Sequence, residues 1–382
     1  MPEGDGPGDA PDPDDDSDLA IVVEKSRSEA VIDATEAEGV YDDDRGVTEH
    51  GPDAVAIPVT SPPESIDYRE VVRQVGERRL RTLEDHLRER GWTDAEVDDA
   101  PGSWAVIGSV VLVEIGDAPR PEEVGEALLA LHGEADTVLA RGGIAGTHRE
   151  PEVEVLAGEA DTETVHTEHG VKYGLDLAKV MFSPGNKAER ARMGEVVREA
   201  DRGKASERAS GEERPASGER VLDMFAGIGY FTLPMAAAGA DVTAIERNPT
   251  AFQYLLENAR LNGVTDRIEG YRADCRDVLA EGLDAFGGPA TVDRIVMGYY
   301  DATEPGDEGG YTYLDPALTA LSPGGTIHVH EATPQGLVFE RPIERLTEAA
   351  AAAGRDVEVL DTRRVKGYSE GVAHVVVDAR VE

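Results

Sequence analysis

The stretch Val221-Leu222-Asp223-Met224-Phe225-Ala226-Gly227-Ile228-Gly229-Tyr230-Phe231-Thr232-Leu233-Pro234 decides how this chain folds. Val221 and Leu222 read as a buried strand with Asp223 at its carboxyl end, and residues 230–237 read as the helix that follows a Gly227/Gly229 turn. In an open α/β sheet, ligands bind at the carboxyl ends of the strands, and glycine turns let a ligand approach the backbone. The third glycine of a G-x-G-x-x-G pattern is replaced by Thr232, which counts against a dinucleotide. The next strand, at 241–245, ends in Glu246, placed to accept hydrogen bonds from a ribose. A third strand leads into Ala273-Asp274-Cys275. There Asp274 can accept from an adenine amino group, and Cys275 can offer its backbone N–H to the ring. Taken singly, Asp274 is as well explained as a solvated loop acid; the three acids at matching strand ends favour a ligand. A nicotinamide cofactor or a decayed site stays open at this point.

Outward from that stretch, strands and helices alternate from Arg220, as a doubly wound α/β sheet requires. Strands are expected at 220–224, 241–245, 268–272, 292–297 and 325–330, with a hairpin-like ending at 357–365 and 371–379. An acidic, glycine-rich loop, 301–310, follows the fourth strand at the mouth of the site. Asn248-Pro249 is accounted for as a helix cap and first position. Upstream, residues 1–18 are nearly all Pro, Gly, Asp and Glu and are expected to be a disordered tail. A small βαβ-like unit is expected over 19–61, with Ser61-Pro62-Pro63 as linker. An α+β domain follows over 62–172, with a helix at 68–91, one long strand at 104–115, a helix at 121–132 and short strands to 175. The catalytic domain spans 173–382. A helix starting at Glu189 runs into 201–218, which lacks large apolar residues and is expected to be a mobile insertion.

The net charge of −41, from 78 acidic against 37 basic residues, is spread over every segment. Such a surface repels itself in dilute buffer, whereas at molar salt the Debye length falls to about 3 Å. Adaptation to a very salty cytoplasm, as in an extreme halophile, follows, and the acidity says nothing against a nucleic-acid substrate. The single Cys275 excludes an internal disulfide and a cysteine-based zinc site, and no metal is expected. No apolar run approaches the roughly 20 residues of a membrane span, and the acidic N-terminus is unlike a signal peptide. A cytoplasmic monomer without membrane contact is expected.

A strand ending in Asp, a G-x-G turn and an acid ending the second strand resemble the site of class I S-adenosylmethionine (SAM) enzymes, with their Rossmann-like fold. Phe182-Ser183-Pro184-Gly185-Asn186, then Glu189-Arg190 and Arg192-Met193, then the opening stretch, further resemble a family acting on tRNA position 37. One branch methylates N1 of guanosine. The other transfers the 3-amino-3-carboxypropyl group of SAM to C7 of 4-demethylwyosine in tRNA(Phe). The methylating branch carries Asn-Leu-Pro or Asn-Pro-Pro after the fourth strand. Met297-Gly298-Tyr299-Tyr300 here, with residues 325–331 and Gly185-Asn186, is similar to the aminocarboxypropyl branch. The resemblance implies that 62–172 contacts tRNA, that Ser183 and Arg190 hold the methionine part of SAM, that Glu246 holds its ribose, and that Asp274 and Cys275 hold its adenine. Cys275 departs from the polar residue usual there.

For acid–base work the candidates are Glu331, at the end of the fifth strand, and Tyr299. His328 and His330 share one face of that strand and read better as packing than as a catalytic pair. Candidate tRNA contacts are Arg149, Lys187, Arg192, Arg363, Lys366 and Tyr368, because phosphates need cations and a tyrosine can stack on a base.

Overall fold

The structure is a computed structural model that describes residues 19–73, 78–146, 148–209, 218–307 and 309–382. The expected tail at 1–18 and the 210–217 part of the expected insertion lie outside the described residues. The chain divides into two compact units, one ending at Val97 and the other Asp98–Glu382.

In the first unit β1 (Leu19–Glu24), α1 (Ser28–Glu38), β2 (Thr48–Glu49), β3 (Ala54–Val59) and β4 (Glu70–Arg73) form a four-stranded sheet of order β2-β3-β1-β4. Val31 of α1 buries against Ile21, Val23, Ile57 and Val59. The βαβ-like expectation is corrected here. β3 runs antiparallel to β1, with Leu19 opposite Val59 and Glu24 opposite Ala54. The 61–63 linker is corrected with it, since β4 pairs with β1 on the far side. The helix expected at 68–91 fails because Val71 and Val72 face opposite sides of that sheet. Among the described residues of this stretch only α2 (Leu83–Glu89) is helical, opened by a capping box between Thr82 and Asp85, before the short α3 (Asp94–Asp98).

In the second unit the expected long strand is a hairpin, β5 (Trp104–Ile107) and β6 (Val110–Val113). The turn sits at Gly108, whose φ is +57°; a Cβ there would lie 2.1 Å from Thr164 Oγ1. Helix α4 (Pro121–Leu131) crosses over to β7 (Thr137–Ala145), parallel to β6, and β8 (Glu150–Gly158) pairs back on β7. Strands β9 (Glu163–Glu168) and β10 (Val171–Asp176) meet at His169-Gly170, φ 48° and 82°, as a two-residue turn with both φ positive. Ile107, Leu112 and Leu139 share one apolar cluster with Tyr173, Leu175, Phe182, Ile228 and Leu233.

Helix α5 (Lys187–Ala209) continues through residues 201–209, where an insertion was expected to start. The seven-stranded sheet then follows: β11 (Arg220–Asp223), α6 (Thr232–Ala237), β12 (Asp241–Ile245), α7 (Pro249–Leu261), β13 (Ile268–Tyr271), α8 (Cys275–Glu281), β14 (Val292–Met297), α9 (Leu314–Ala320), β15 (Leu321–Pro334), α10 (Glu340–Ala352), β16 (Val357–Ser369) and β17 (Val372–Val381). Its order is β13-β12-β11-β14-β15-β17-β16. The first five strands are parallel and β17 inserts antiparallel between β15 and β16. Strand order reverses at β11, so the carboxyl ends of β11, β12 and β14 open one crevice at the switch point. No helix among the described residues is long and apolar enough to cross a membrane.

Candidate functional site

The floor of the crevice is the turn between β11 and α6. Gly227 (φ 57°) and Gly229 (φ 102°) both adopt left-handed backbone. A Cβ would meet the Tyr230 ring at 2.6 Å in the first case and Leu233 at 2.7 Å in the second. Asp223 is fully buried and accepts from the Thr232 hydroxyl at 2.7 Å and from the Phe225 N–H at 3.4 Å. Thr232 thus replaces the third glycine with a donor that the buried acid requires. Glu246, beyond β12, accepts from the Gly227 N–H at 2.7 Å and from the Asn248 N–H at 2.7 Å, which locks the turn to the second strand end. Asn248 caps α7 as expected, its side chain accepting from Thr250 N–H at 2.8 Å.

Burial raises both acids: Glu246 upward, and Asp223 to about 6, with Glu246 nearby adding to the rise. A folded pKa above the unfolded one stabilises at low pH, and that contribution is lost as pH climbs past 6. Asp223→Asn is therefore expected to gain stability relative to the parent chain between pH 4 and 7, by about 3 kcal/mol. Chemical denaturation of both chains across that range reads the difference, and a difference independent of pH would contradict the buried, uphill Asp223.

Asp274 caps α8, accepting from the Arg276 N–H at 3.0 Å. Its carboxylate pairs with Arg276 at 2.7 Å and Arg247 at 3.6 Å. Arg276 holds it below the usual range, so its oxygens already serve guanidinium groups. Beside it the Cys275 thiol is buried and, through that burial, pushed up to about 12; the residue can offer its backbone but not a thiolate. Tyr299, just past β14, packs with Phe225 at 5.2 Å and Tyr313 at 6.0 Å between ring centroids. The Arg149 guanidinium lies 5.8 Å from the Tyr299 centroid and that of Arg276 lies 5.5 Å from Tyr313. Burial, with Asp301 beside it, pushes the Tyr299 hydroxyl up to about 12, so at neutral pH it keeps its proton and cannot serve as base. Phe225 and Tyr313 escaped the sequence reading; the available signal was two tyrosines, at 311 and 313, closing the acidic loop of a chain with 5% aromatic residues.

The far end of the crevice is where the methionine part of SAM was expected. Arg190 is buried, and its fork is closed by Glu168: Nε to Oε2 at 2.7 Å and Nη2 to Oε1 at 2.9 Å. Its remaining arm donates to the Ser183 carbonyl at 3.0 Å. Three of the five guanidinium N–H groups are used in this way, and Nη1 and Nη2 each keep one more. Lys366, expected to meet tRNA, is half-buried and donates to the Ser183 hydroxyl. The Tyr230 hydroxyl and Asn186 Oδ1 are buried with no hydrogen-bond partner.

Glu331 is corrected as an acid–base group. It is wholly buried and held by Arg341, Thr303 and, at 3.8 Å, Arg345. His328 bonds Asp378 at 2.6 Å and contacts Arg294, whereas His330 lies 3.1 Å from His374; both pack inside the sheet layer, as read from sequence. Arg192 and Arg363 are corrected as phosphate ligands: Arg192 pairs with Asp378 at 2.6 Å, and Arg363 with Asp378 and Glu189. In a chain so rich in acids, an arginine finds internal carboxylates first. Lys187 and Tyr368 are exposed, Tyr368 standing edge-on to Tyr300 at 5.1 Å. Among the described residues no group of three or more His, Cys, Asp or Glu could hold a metal ion.

Comparison with known proteins gives two family models. Residues 164–360 match the TRM5/TYW2 methyltransferase domain and residues 83–162 match the TYW2 N-terminal domain. The chain is 38% identical over 284 residues to a protein of Pyrococcus horikoshii named tRNA(Phe) (4-demethylwyosine(37)-C(7)) aminocarboxypropyltransferase, covering 74% of this chain and 90% of that protein. It is 31% identical to the tRNA (guanine(37)-N(1))-methyltransferase Trm5b of Pyrococcus abyssi, covering 74% of this chain and 75% of that one. Among solved structures, P. horikoshii TYW2 in complex with MeSAdo superposes with a TM-score of 0.60 at 34% identity, covering 79% of this chain and 99% of the other.

Proposed function

The chain belongs to the TRM5/TYW2 family, and from that premise we propose that it transfers the 3-amino-3-carboxypropyl group of SAM to C7 of 4-demethylwyosine at position 37 of tRNA(Phe), releasing methylthioadenosine. One observation carries the choice of branch: the likeness to the aminocarboxypropyltransferase is higher in identity and spans nine tenths of that protein, exceeding the likeness to the guanine-N1 methylating relative on both counts. Met297-Gly298-Tyr299-Tyr300 supports it, standing where the methylating branch has an Asn-x-Pro motif.

SAM supplies a sulfonium whose three attached carbons are all open to displacement. Which one reacts is decided by what the protein holds in line behind a C–S bond, at about 3–3.5 Å. Glu246 is placed to take the ribose hydroxyls, exchanging its bond from Gly227 for theirs. The backbone at Cys275 is placed to take the adenine, since the Asp274 side chain is committed to arginines. The Phe225, Tyr299 and Tyr313 rings offer a stacking face for the tricyclic base, and Arg149 beside Tyr299 offers a charge for its phosphate. In the reaction, the bond from C7 to the γ-carbon forms as the S–Cγ bond breaks. Sulfur keeps the electron pair and leaves as neutral methylthioadenosine, and C7 then gives up its proton.

We retain Arg149, Lys187 and Tyr368 as the tRNA-facing residues. The reading also places the chain as a monomer in a salt-rich cytoplasm, supported by the net charge of −41 and by a tRNA substrate. Two labelled forms of SAM test the branch. Carboxyl-labelled SAM is expected to put its label into tRNA that carries the tricyclic precursor, and methyl-labelled SAM to leave its label in methylthioadenosine. Methyl label in tRNA, with S-adenosylhomocysteine as by-product, would make the chain a methyltransferase.

A further inference from the structure

Glu331 is wholly buried and has no acid–base task, yet its partners lead to the mouth of the crevice. We propose that it is a positioning residue: through Thr303 it fixes the turn that begins at Tyr299, and so the ring on which the target base stacks. The inference rests on that stacking reading.

The contacts run in one line. The Thr303 hydroxyl donates to Glu331 Oε2, and Arg341 Nε donates to Oε1. Arg345 Nη1 donates to the Thr303 oxygen at 3.2 Å and to Glu304 at 2.9 Å. Thr303 is thus oriented from both sides, as donor to the acid and acceptor from the arginine. It and Ala302 are fully buried, whereas Asp301 and Glu304 on either side are exposed. The Ala302 N–H donates to the Tyr299 carbonyl at 3.1 Å, and the Glu304 N–H to the Asp301 carbonyl at 3.1 Å. The Asp301 side chain lies at the Tyr299 hydroxyl. One hydroxyl–carboxylate bond therefore anchors a turn whose first residue is Tyr299, and the Tyr299 ring packs on Phe225 and Tyr313.

Two further observations separate placement from mere attachment. Helix α10 is already seated by Leu346, Ala349 and Ala350, which belong to the apolar core of the sheet. A buried ion cluster is often no better for stability than apolar residues of its size, so seating the helix does not call for one. Arg341, Arg345 and Glu348 stand on one face of α10 at i, i+4 and i+7, and Glu348 accepts from the Tyr311 hydroxyl at 2.7 Å. The same helix face thus holds the chain at Thr303–Glu304, after Tyr299, and at Tyr311, before Tyr313.

Kinetics of the full chain with tRNA carrying the tricyclic precursor, at saturating SAM, test this on Thr303→Val, Thr303→Ser and Glu331→Gln. SAM calorimetry on each variant runs beside them. Thr303→Val keeps the shape and loses the hydroxyl. It is expected to lower kcat/KM for tRNA about tenfold, the scale of one hydrogen bond, and to leave SAM affinity within about twofold. Thr303→Ser, which retains the hydroxyl, should stay within about twofold of the parent. Glu331→Gln should match Thr303→Val, and the double variant should lose no more than either single one, since both break the same link. Where Glu331→Gln does not fold, the contrast between valine and serine decides alone. A full kcat/KM in Thr303→Val, equal losses with valine and serine, or a SAM affinity that falls in step with kcat/KM overturns the positioning role. Tyr299→Leu is the control for the premise: a full kcat/KM there overturns the stacking reading, and the role of Glu331 with it.

Discussion

Replacing Arg190 with methionine is expected to lower the unfolding free energy by about 3–5 kcal/mol at neutral pH, the loss typical when one partner of a buried ion pair is removed. Arg190 and Glu168 are both almost wholly inaccessible and joined by two hydrogen bonds. The pair ties the β9–β10 hairpin to α5, elements 22 residues apart in sequence. Burial works against the Glu168 carboxylate, but hydrogen bonds from His166 and Arg190 outweigh it and hold the group at about 2. A depressed folded pKa stabilises above the unfolded value and is lost as pH falls through about 2. In Arg190→Met the acid loses that support, and its deficit against the parent should shrink as pH drops from 7 to 4. Adding Glu168→Gln should recover a large part of the loss, because a buried pair replaced on both sides is often nearly neutral. Denaturant melts of the parent, single and double variants check this. A double variant as unstable as the single would mean the two residues do not act as a unit.

The same pair shows where sequence reading stops. The sheet was legible because each strand carries its own signal: an apolar β-branched run such as 292–297, closed by a turn residue or an acid. The Gly227/Gly229 turn and the Asn248 cap were legible for the same reason, being local chemistry. The stretch at 68–91 misled because valines at 71, 72 and 75 fit helical spacing, while Val71 and Val72 take their conformation from β1, some 50 residues earlier. In the site, the acids at strand ends could be placed from sequence, but whether a charged group faces a ligand could not. Arg363 meets Glu189 across 174 positions, Arg190 meets Glu168 across 22, and Glu331 is enclosed by Arg341. No spacing rule encodes such partners, and in a chain with twice as many acids as bases the default fate of an arginine is an internal carboxylate.

Withdrawal of salt is expected to unfold the chain, or abolish its activity, below about 0.5 M, where the Debye length exceeds roughly 4 Å and neighbouring carboxylates begin to interact. The formal charge of −41 over 382 residues is what remains after every Lys and Arg is counted, so exposed ion pairs such as Lys25–Glu49, Arg141–Glu114 and Arg380–Glu358 leave it unchanged. Each such pair is worth under about 1 kcal/mol, so they cannot offset the summed repulsion. Stability should therefore climb steeply between 0.1 and 1 M KCl and then level, as screening saturates. The buried Arg190–Glu168 pair behaves differently, because salt does not reach it. The deficit of Arg190→Met should stay constant along the same series, while both chains gain stability in parallel. Thermal melts of the two chains at matched KCl concentrations separate the contributions. A parent chain fully folded in dilute buffer would remove the salt-adapted reading, and a deficit that fades with salt would mean that the pair is open to solvent.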